Sequence, residues 1–589
     1  MPTAHPLDGV ERNPNAKCGR QPTPLFSDST HSLIRTTNVT NPSEYQTKLA
    51  QRKDELMVEI AALNTAHNSV AGICRLPAEI LSRVFLELSS MTTIHSPIDA
   101  DEKWTKLLWV RATNVCRHWR EVANNCPTLW ASPAFNSNPD LAAMMLSRSK
   151  HAPLSIRYIG TRTHPPEALY DALAQIERLR SVEVMKGKRE PRFWEIISGW
   201  SNAPILRTLV LVNSNYHDSN ISLDRALPIN APSLRKLEIK RCGIAWKHLP
   251  IGSAITHLNL YDDIRKHNHR PSSDALASAL ESMPRLRSLA LSGYLPSAAD
   301  SRSRRVILPV LEMAVLRDET PLLSKFFQLY ALPSTAAIGI TFMSHLSSSN
   351  IAETVANLKS SMQAGPSRTG SPSILNGVDA MAFSTRNVHL WAKNDGETDP
   401  RLKLSSVRGD PPNEFIPEVD YLFAIKEQFD LTTLEGLSVA KGDWLTAIIW
   451  KMVFTPLPKL MVITLEACRF DDFFQAFQLP DCPGNLRSEG DEALPMDHQS
   501  LRPFPSLSLI SLNGMDLTVP GRAVNAHLLR DILAHRSTFG PIKRLGINKC
   551  INFGWFEYFQ LQKGDARTQV EWDRHGVAED EDDDYYSSD

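Results

Sequence analysis

The chain has 589 residues, 42% of them hydrophobic and 22% charged, which is a globular composition too long for one compact core, so several domains or a repeat array are expected. Its 64 basic and 65 acidic side chains nearly cancel, leaving no overall field to draw in nucleic acid or an anionic bilayer. No long apolar run and no apolar stretch behind a basic start occurs, so neither a membrane span nor an export signal is expected, and the cytoplasm or nucleus is the expected location.

Residues 1–45, rich in Pro, Asn, Ser and Thr, hold too few large apolar groups to offset the entropy of ordering and are expected to be disordered. Over 46–72, Leu49, Leu56, Ile60 and Leu63 recur at steps of seven, four and three and predict an amphipathic helix. Such a helix either packs on its own chain or pairs in a short coiled coil.

Next, in ICRLPAEILSRVFLEL, Leu76-Pro77 opens a helix on which Ile80, Leu81, Val84, Phe85 and Leu88 share one face. A spacer from Ser89 to about Lys103 leads to an apolar patch at Trp104, Leu107, Leu108 and Val110. In ATNVCRHWREVANNCPTLW, Val115, Trp119 and Val122 keep helical spacing, which completes a compact trio of short helices over 73–132.

From about residue 150 to 560 a new pattern returns: an apolar residue, two variable, an apolar residue, one variable, an apolar residue. It stands as Leu179/Val182/Val184, Leu206/Leu209/Leu211, Leu234/Leu237/Ile239, Ile255/Leu258/Leu260 and Leu286/Leu289/Leu291. Later copies are Leu434/Leu437/Val439, Leu460/Ile463/Leu465, Leu507/Ile510/Leu512 and Ile542/Leu545/Ile547. The first five start 27, 28, 21 and 31 residues apart, close to the roughly 20–29 residue period of leucine-rich repeats, so the expected fold class is α/β with a curved solenoid and a parallel sheet. Between Leu291 and Leu434 only Leu311/Ala314/Leu316 and Ile338/Ile340 remain, and MQAGPSRTGSP reads as a surface loop. Another loop is expected at about 480–503. Residues 565–589, ending EDEDDDYYSSD, read as a disordered acidic tail.

Side chains alternating with the buried triplets face outward, because strand side chains have period two. In the third and fourth copies these are Lys236, Glu238 and Lys240, and His257, Asn259 and Tyr261, a mixed-charge patch with one aromatic suited to reading a protein target. The eight cysteines show no CxxC pair and no regular spacing, so reduced, mostly buried thiols are expected. His267 and His269 stand without a third ligand, and no phosphate loop, nucleophile turn or HExxH helix occurs, so no metal, cofactor or catalytic residue is expected.

At LPAEILSRVF, followed by VCRHWREVA and LW, the chain resembles the F-box, and its arrangement is similar to fungal F-box proteins with irregular leucine-rich repeats. That resemblance implies a three-helix domain docking on the Skp-family adaptor of a cullin–RING ubiquitin ligase, with the repeats choosing an unknown protein target. Carried over, Leu76, Pro77, Ile80, Leu81, Val84 and Phe85 supply the first part of the adaptor contact, and Val115, Cys116 and Trp119 the closing helix. A non-catalytic substrate receptor is the implied role; a Skp-binding scaffold outside ubiquitin transfer is the alternative. The spacer between Leu88 and Val115 is longer than in the shortest F-boxes.

Overall fold

The computed structural model describes residues 26–575 except 38, 92–107, 137, 161–164, 187–190, 214–226, 228, 263–269, 298–304, 344–346, 367–371, 394–398, 408–416, 469, 478–502, 518–525, 537–539 and 565–566. The chain divides into two compact units, Met1–Leu129 and Trp130–Asp589.

The first unit is helical. α1 (Asp28–Ile34) is followed by α2 (Pro42–Ser69), which Asn41 caps by accepting the Glu44 N–H, with Pro42 in the first turn where a missing N–H costs nothing. Ordered helix therefore falls inside the expected disordered segment 1–45, and residues 1–25 lie outside the described residues. The reason is local: the Tyr45 hydroxyl donates to the Leu33 carbonyl at 2.8 Å, and Arg52 donates to Thr30 and Ser27, tying α1 to α2. Composition averaged over 45 residues conceals two such anchors. α2 buries none of its residues; Leu49, Ile60 and Leu63 stay exposed.

α3 (Ala78–Met91), α4 (Leu108–Ala112) and α5 (Arg117–Asn124) form the trio, with α3 packed on both others. Pro77 starts α3 by accepting the Leu81 N–H at 3.1 Å. In α4 the core residue is Trp109, 4% exposed, one step past the expected Leu108; Trp104 and Leu107 lie outside the described residues, as does most of the spacer.

The second unit is built on a 16-stranded, mostly parallel sheet. Its strands, with two short ones, are β1 (Leu154–Gly160), β2 (Leu179–Lys186), β3 (Thr208–Asn213), β4 (Lys236–Lys240), β5 (His257–Tyr261), β6 (Ser288–Ser292), β7 (Val306–Ile307), β8 (Met313–Asp318) and β9 (Tyr330–Ala331). Then come β10 (Ala337–Phe342), β11 (Val378–Ser384), β12 (Asn387–Ala392), β13 (Leu402–Ser406), β14 (Gly436–Ala440), β15 (Val462–Glu466), β16 (Leu509–Asn513), β17 (Arg544–Asn548) and β18 (Gln569–Trp572). β7 and β9 pair separately.

Every apolar triplet of the sequence lies on one of these strands or just before it, and each of its side chains is at most 2% exposed. They share one hydrophobic core with connecting helices, through residues such as Leu173, Ile197, Leu276, Phe327, Val355 and Leu422. The two degraded copies are full strands, β8 and β10. The unit also starts earlier than 150 and ends later than 560: Phe135 and Ala142 belong to its core, and β18 pairs with β17.

One departure breaks the sequential order. After β10 the chain passes three positions along the sheet, lays down β11, and returns through antiparallel β12 to β13, which pairs with β10, while β14 continues from β11. No triplet marks this meander. Part of the expected surface loop is ordered as well: Met362–Ala364 close the helix Ser348–Ala364, with Met362 1% exposed.

The described cysteines are free and mostly buried, as expected, and three of them share a turn. Cys242, Cys468 and Cys550 each stand three residues after the last apolar residue of a triplet, and each thiol bonds the carbonyl that ends its own strand and a carbonyl of the preceding strand. Immediately before them, Arg241, Ala467 and Lys549 take positive φ of 56°, 48° and 51°. The turn repeats; only its spacing from the other cysteines is irregular.

Candidate functional site

α3 is two-faced. Leu81 and Phe85 are 0% and 1% exposed, and the Phe85 ring meets Trp119 of α5 with centroids 5.5 Å apart. A quarter-turn away, Ile80, Val84 and Leu88 follow at steps of four and are 47%, 40% and 39% exposed. Val115 and Ile73 add further exposed apolar groups, and Pro77 is exposed beside them in sequence. Cys116 caps α5, accepting the Trp119 N–H at 3.5 Å, and its sulfur lies 3.9 Å from that of Cys74.

The expected adaptor residues therefore divide. Leu81, Phe85 and Cys116 lie in the core of the unit, Leu76 and Trp119 are half-buried, and Pro77, Ile80, Val84 and Val115 reach solvent. One face holds the unit together while the other is left uncovered among the described residues. Large apolar groups lined up in water are the usual mark of a surface awaiting a partner.

Residues 73–136 match the family model for the F-box-like domain. That span contains all three helices α3, α4 and α5 of the F-box-like unit. No curated protein matches the chain. Among solved structures, the chain is similar to one from the crystal structure of the Rad7 and Elc1 complex in yeast, at 13% identity and a TM-score of 0.28, covering 74% of this chain and 96% of that one.

Beyond the F-box-like unit, the second candidate surface is the outer face of the sheet. Register joins one residue per strand into a continuous row: Arg157, Glu183, Val210, Glu238, Asn259, Ala290, Val315, Gly339, Lys403, His389, Ala382, Ser438, and on to Glu571. Charged groups dominate its start, small ones its middle, and small polar ones much of its later part.

The six expected target-binding residues face one another in pairs across β4 and β5: Lys236 with His257, Glu238 with Asn259, and Lys240 with Tyr261. Glu238 binds Lys240 at 2.6 Å and Lys236 at 3.3 Å. Burial works to raise its carboxyl, but the two ammonium groups more than offset this and hold it below the usual carboxylate range. His257 is exposed and meets the Thr256 hydroxyl at 2.8 Å.

Arg241 and Arg317 escaped the sequence reading. Their guanidiniums lie 5.3 and 5.2 Å from the centre of the Tyr261 ring. Arg317 was within reach of the same alternation rule, since Met313, Val315 and Arg317 alternate with Ala314 and Leu316 of a degraded copy. Toward the start of β8 and β10 a groove of about 670 Å³ opens, lined by Met313, Val315, Gly339 and several prolines.

His267 and His269 lie outside the described residues; among those described, no group of three metal-ligating side chains occurs. Nor is any described helix long and apolar enough to cross a membrane.

Proposed function

We propose that this chain is the substrate-recognition subunit of an SCF-type ubiquitin ligase acting in the cytoplasm or nucleus. In this reading the F-box-like unit docks on a Skp-family adaptor, the adaptor joins a cullin–RING ligase, and the sheet array holds a protein target. Catalysis belongs to the other subunits, and this chain contributes proximity. The observation that carries the reading is the uncovered stripe Ile80, Val84 and Leu88 inside the span matched by the F-box-like model. Pro77 and Val115 extend the contact; Leu81, Phe85, Cys116 and Trp119 hold it in shape, and Leu76 leads into it.

The array is read as irregular leucine-rich repeats. Leu234, Leu237, Ile239, Cys242 and Ile244 follow the repeat consensus position by position, including its Asn-or-Cys site, as do Leu460, Ile463, Leu465, Cys468 and Phe470. Lys236, Glu238, Lys240, His257, Asn259 and Tyr261 then belong to the target-facing side.

The test is co-purification of the full chain with a Skp-family adaptor and a cullin, comparing wild type with Ile80→Asp/Val84→Asp. Adaptor and cullin are expected to be lost together while the melting temperature of the chain is unchanged. Retention of the adaptor by a folded variant overturns the docking model. Adaptor without cullin in the wild-type complex would favour a scaffold working outside ubiquitin transfer.

A further inference from the structure

The outer face changes chemistry where β5, β6, β8 and β10 lie side by side. Asn259, Ala290, Val315 and Gly339 are register partners, so two of four consecutive positions carry one side-chain carbon or none and leave the strand backbone close to the surface. Over Met313 and Val315, 45% and 38% exposed, the groove is walled by Pro309, Pro333 and Pro400, which offer no backbone N–H. Two residues beyond Val315 on the same face stands Arg317, half-buried.

The contacts of Arg317 are unusual for a charged group in that position. Its Nε donates to the Met343 sulfur, a weak acceptor, at 2.8 Å, and its guanidinium lies over Tyr261. Its two terminal nitrogens have no hydrogen-bond partner among the described residues. On these strands Glu238 is engaged with Lys236 and Lys240, and Asp318 with Arg270. A planar fork with free donors, next to a second guanidinium and an aromatic ring, suits a carboxylate better than a neutral group. Arg401 and Lys403 add positive charge to the groove lining and Asp399 a negative one.

We propose that this face binds an extended acidic segment of a target protein, with a carboxylate on Arg317 beside Tyr261 and a neighbouring apolar side chain over Met313 and Val315. Side chains two apart on one side of an extended chain stand about 7 Å apart, the same step that separates Val315 from Arg317, so one segment reaches both places. The assignment rests on the substrate-receptor reading, which it makes specific to a chemical class.

Three fluorescein-labelled peptides of equal length test it on the full chain: leucine flanked by Asp and Glu, by Ser, or by Lys and Arg. Anisotropy is expected to rank the acidic probe first, with binding that weakens as salt is raised, and Arg317→Gln is expected to weaken it about tenfold or more. Arg317→Glu should abolish it; thermal melting of both variants separates lost binding from lost fold, and the wild-type ranking stands without either. Equal binding of the three probes, or an Arg317→Gln chain that folds and binds undiminished, overturns the proposal. Ile80→Asp/Val84→Asp should leave probe binding intact, so failure of adaptor docking and failure of this site are read separately.

Discussion

Arg270 and Asp318 meet through two parallel contacts of 2.8 Å with side chains 1% and 0% exposed. Arg270 also donates to the Leu295 carbonyl at 2.6 Å, and Asp318 accepts the Glu319 N–H at 3.0 Å. The pair thus pins the end of β8, the strand that carries Arg317. Removing one partner strands the other charge in the interior, and Asp318→Ala is expected to cost about 3–5 kcal/mol in chemical denaturation. An Arg270→Met/Asp318→Leu double variant should lose less than the single one.

The two faces of α3 should separate stability from docking. Leu81→Ala empties a fully buried site and is expected to cost about 2–5 kcal/mol. Ile80→Ala, on the exposed face, should stay within about 0.5 kcal/mol of wild type and still reduce adaptor capture. Equal effects of the two on melting would show that the outer stripe is part of the core.

Gly365 ends the helix Ser348–Ala364 against the Leu332 backbone, where an added Cβ would collide with the carbonyl. Gly365→Ala should destabilise by about 1–3 kcal/mol, because backbone cannot yield as a flexible side chain does. Gly252, with open space where a Cβ would go, is the control, and denaturation midpoints compare the two.

His389 faces Lys403 across β12 and β13, and burial first, then that ammonium, holds its imidazole below the ordinary value of 6.5. The folded chain therefore takes up the proton less readily than the unfolded chain. Stability should fall as pH drops through the ordinary imidazole range and level off once the lower folded value is passed. His389→Gln should flatten this part of the profile, measured as melting temperature between pH 5 and 8.

Cys550 donates to the Leu512 and Asn548 carbonyls at 3.4 and 3.5 Å, and burial pushes its thiol up. Cys550→Ala should cost about 1–2 kcal/mol by leaving those carbonyls without the donor. In native alkylation mapped by mass, Cys550 and buried Cys242 should react more slowly than half-buried Cys74.

Periodicity made the strands legible because Leu234, Leu237 and Ile239 and their counterparts answer to one requirement, burial against the same core. The β11–β13 meander was not legible, since Val388 and Leu390 alternate as any half-buried strand does and nothing local states which neighbour they will join. On α3, helical spacing grouped Ile80 with Leu81 and Val84 with Phe85, yet adjacent residues point about 100° apart, and only packing decides which of the two turns inward. Arg241, in the turn after β4, and Arg317, on β8, meet at Tyr261 of β5 only once the strands are laid side by side, a relation absent from the linear order.

The meander also sets where the chain can be cut. In a strictly sequential array each strand adds to its predecessor, so an end can be shortened one strand at a time. Here β10 is bordered by β13 and β14 by β11, so residues 337–440 act as a splice that must be whole before the two halves of the sheet join. Shortened versions that stop after β11 or β12 would leave those strands without β13, their link to β10, whereas ends placed before β10 or after β14 open only the edge of the last strand.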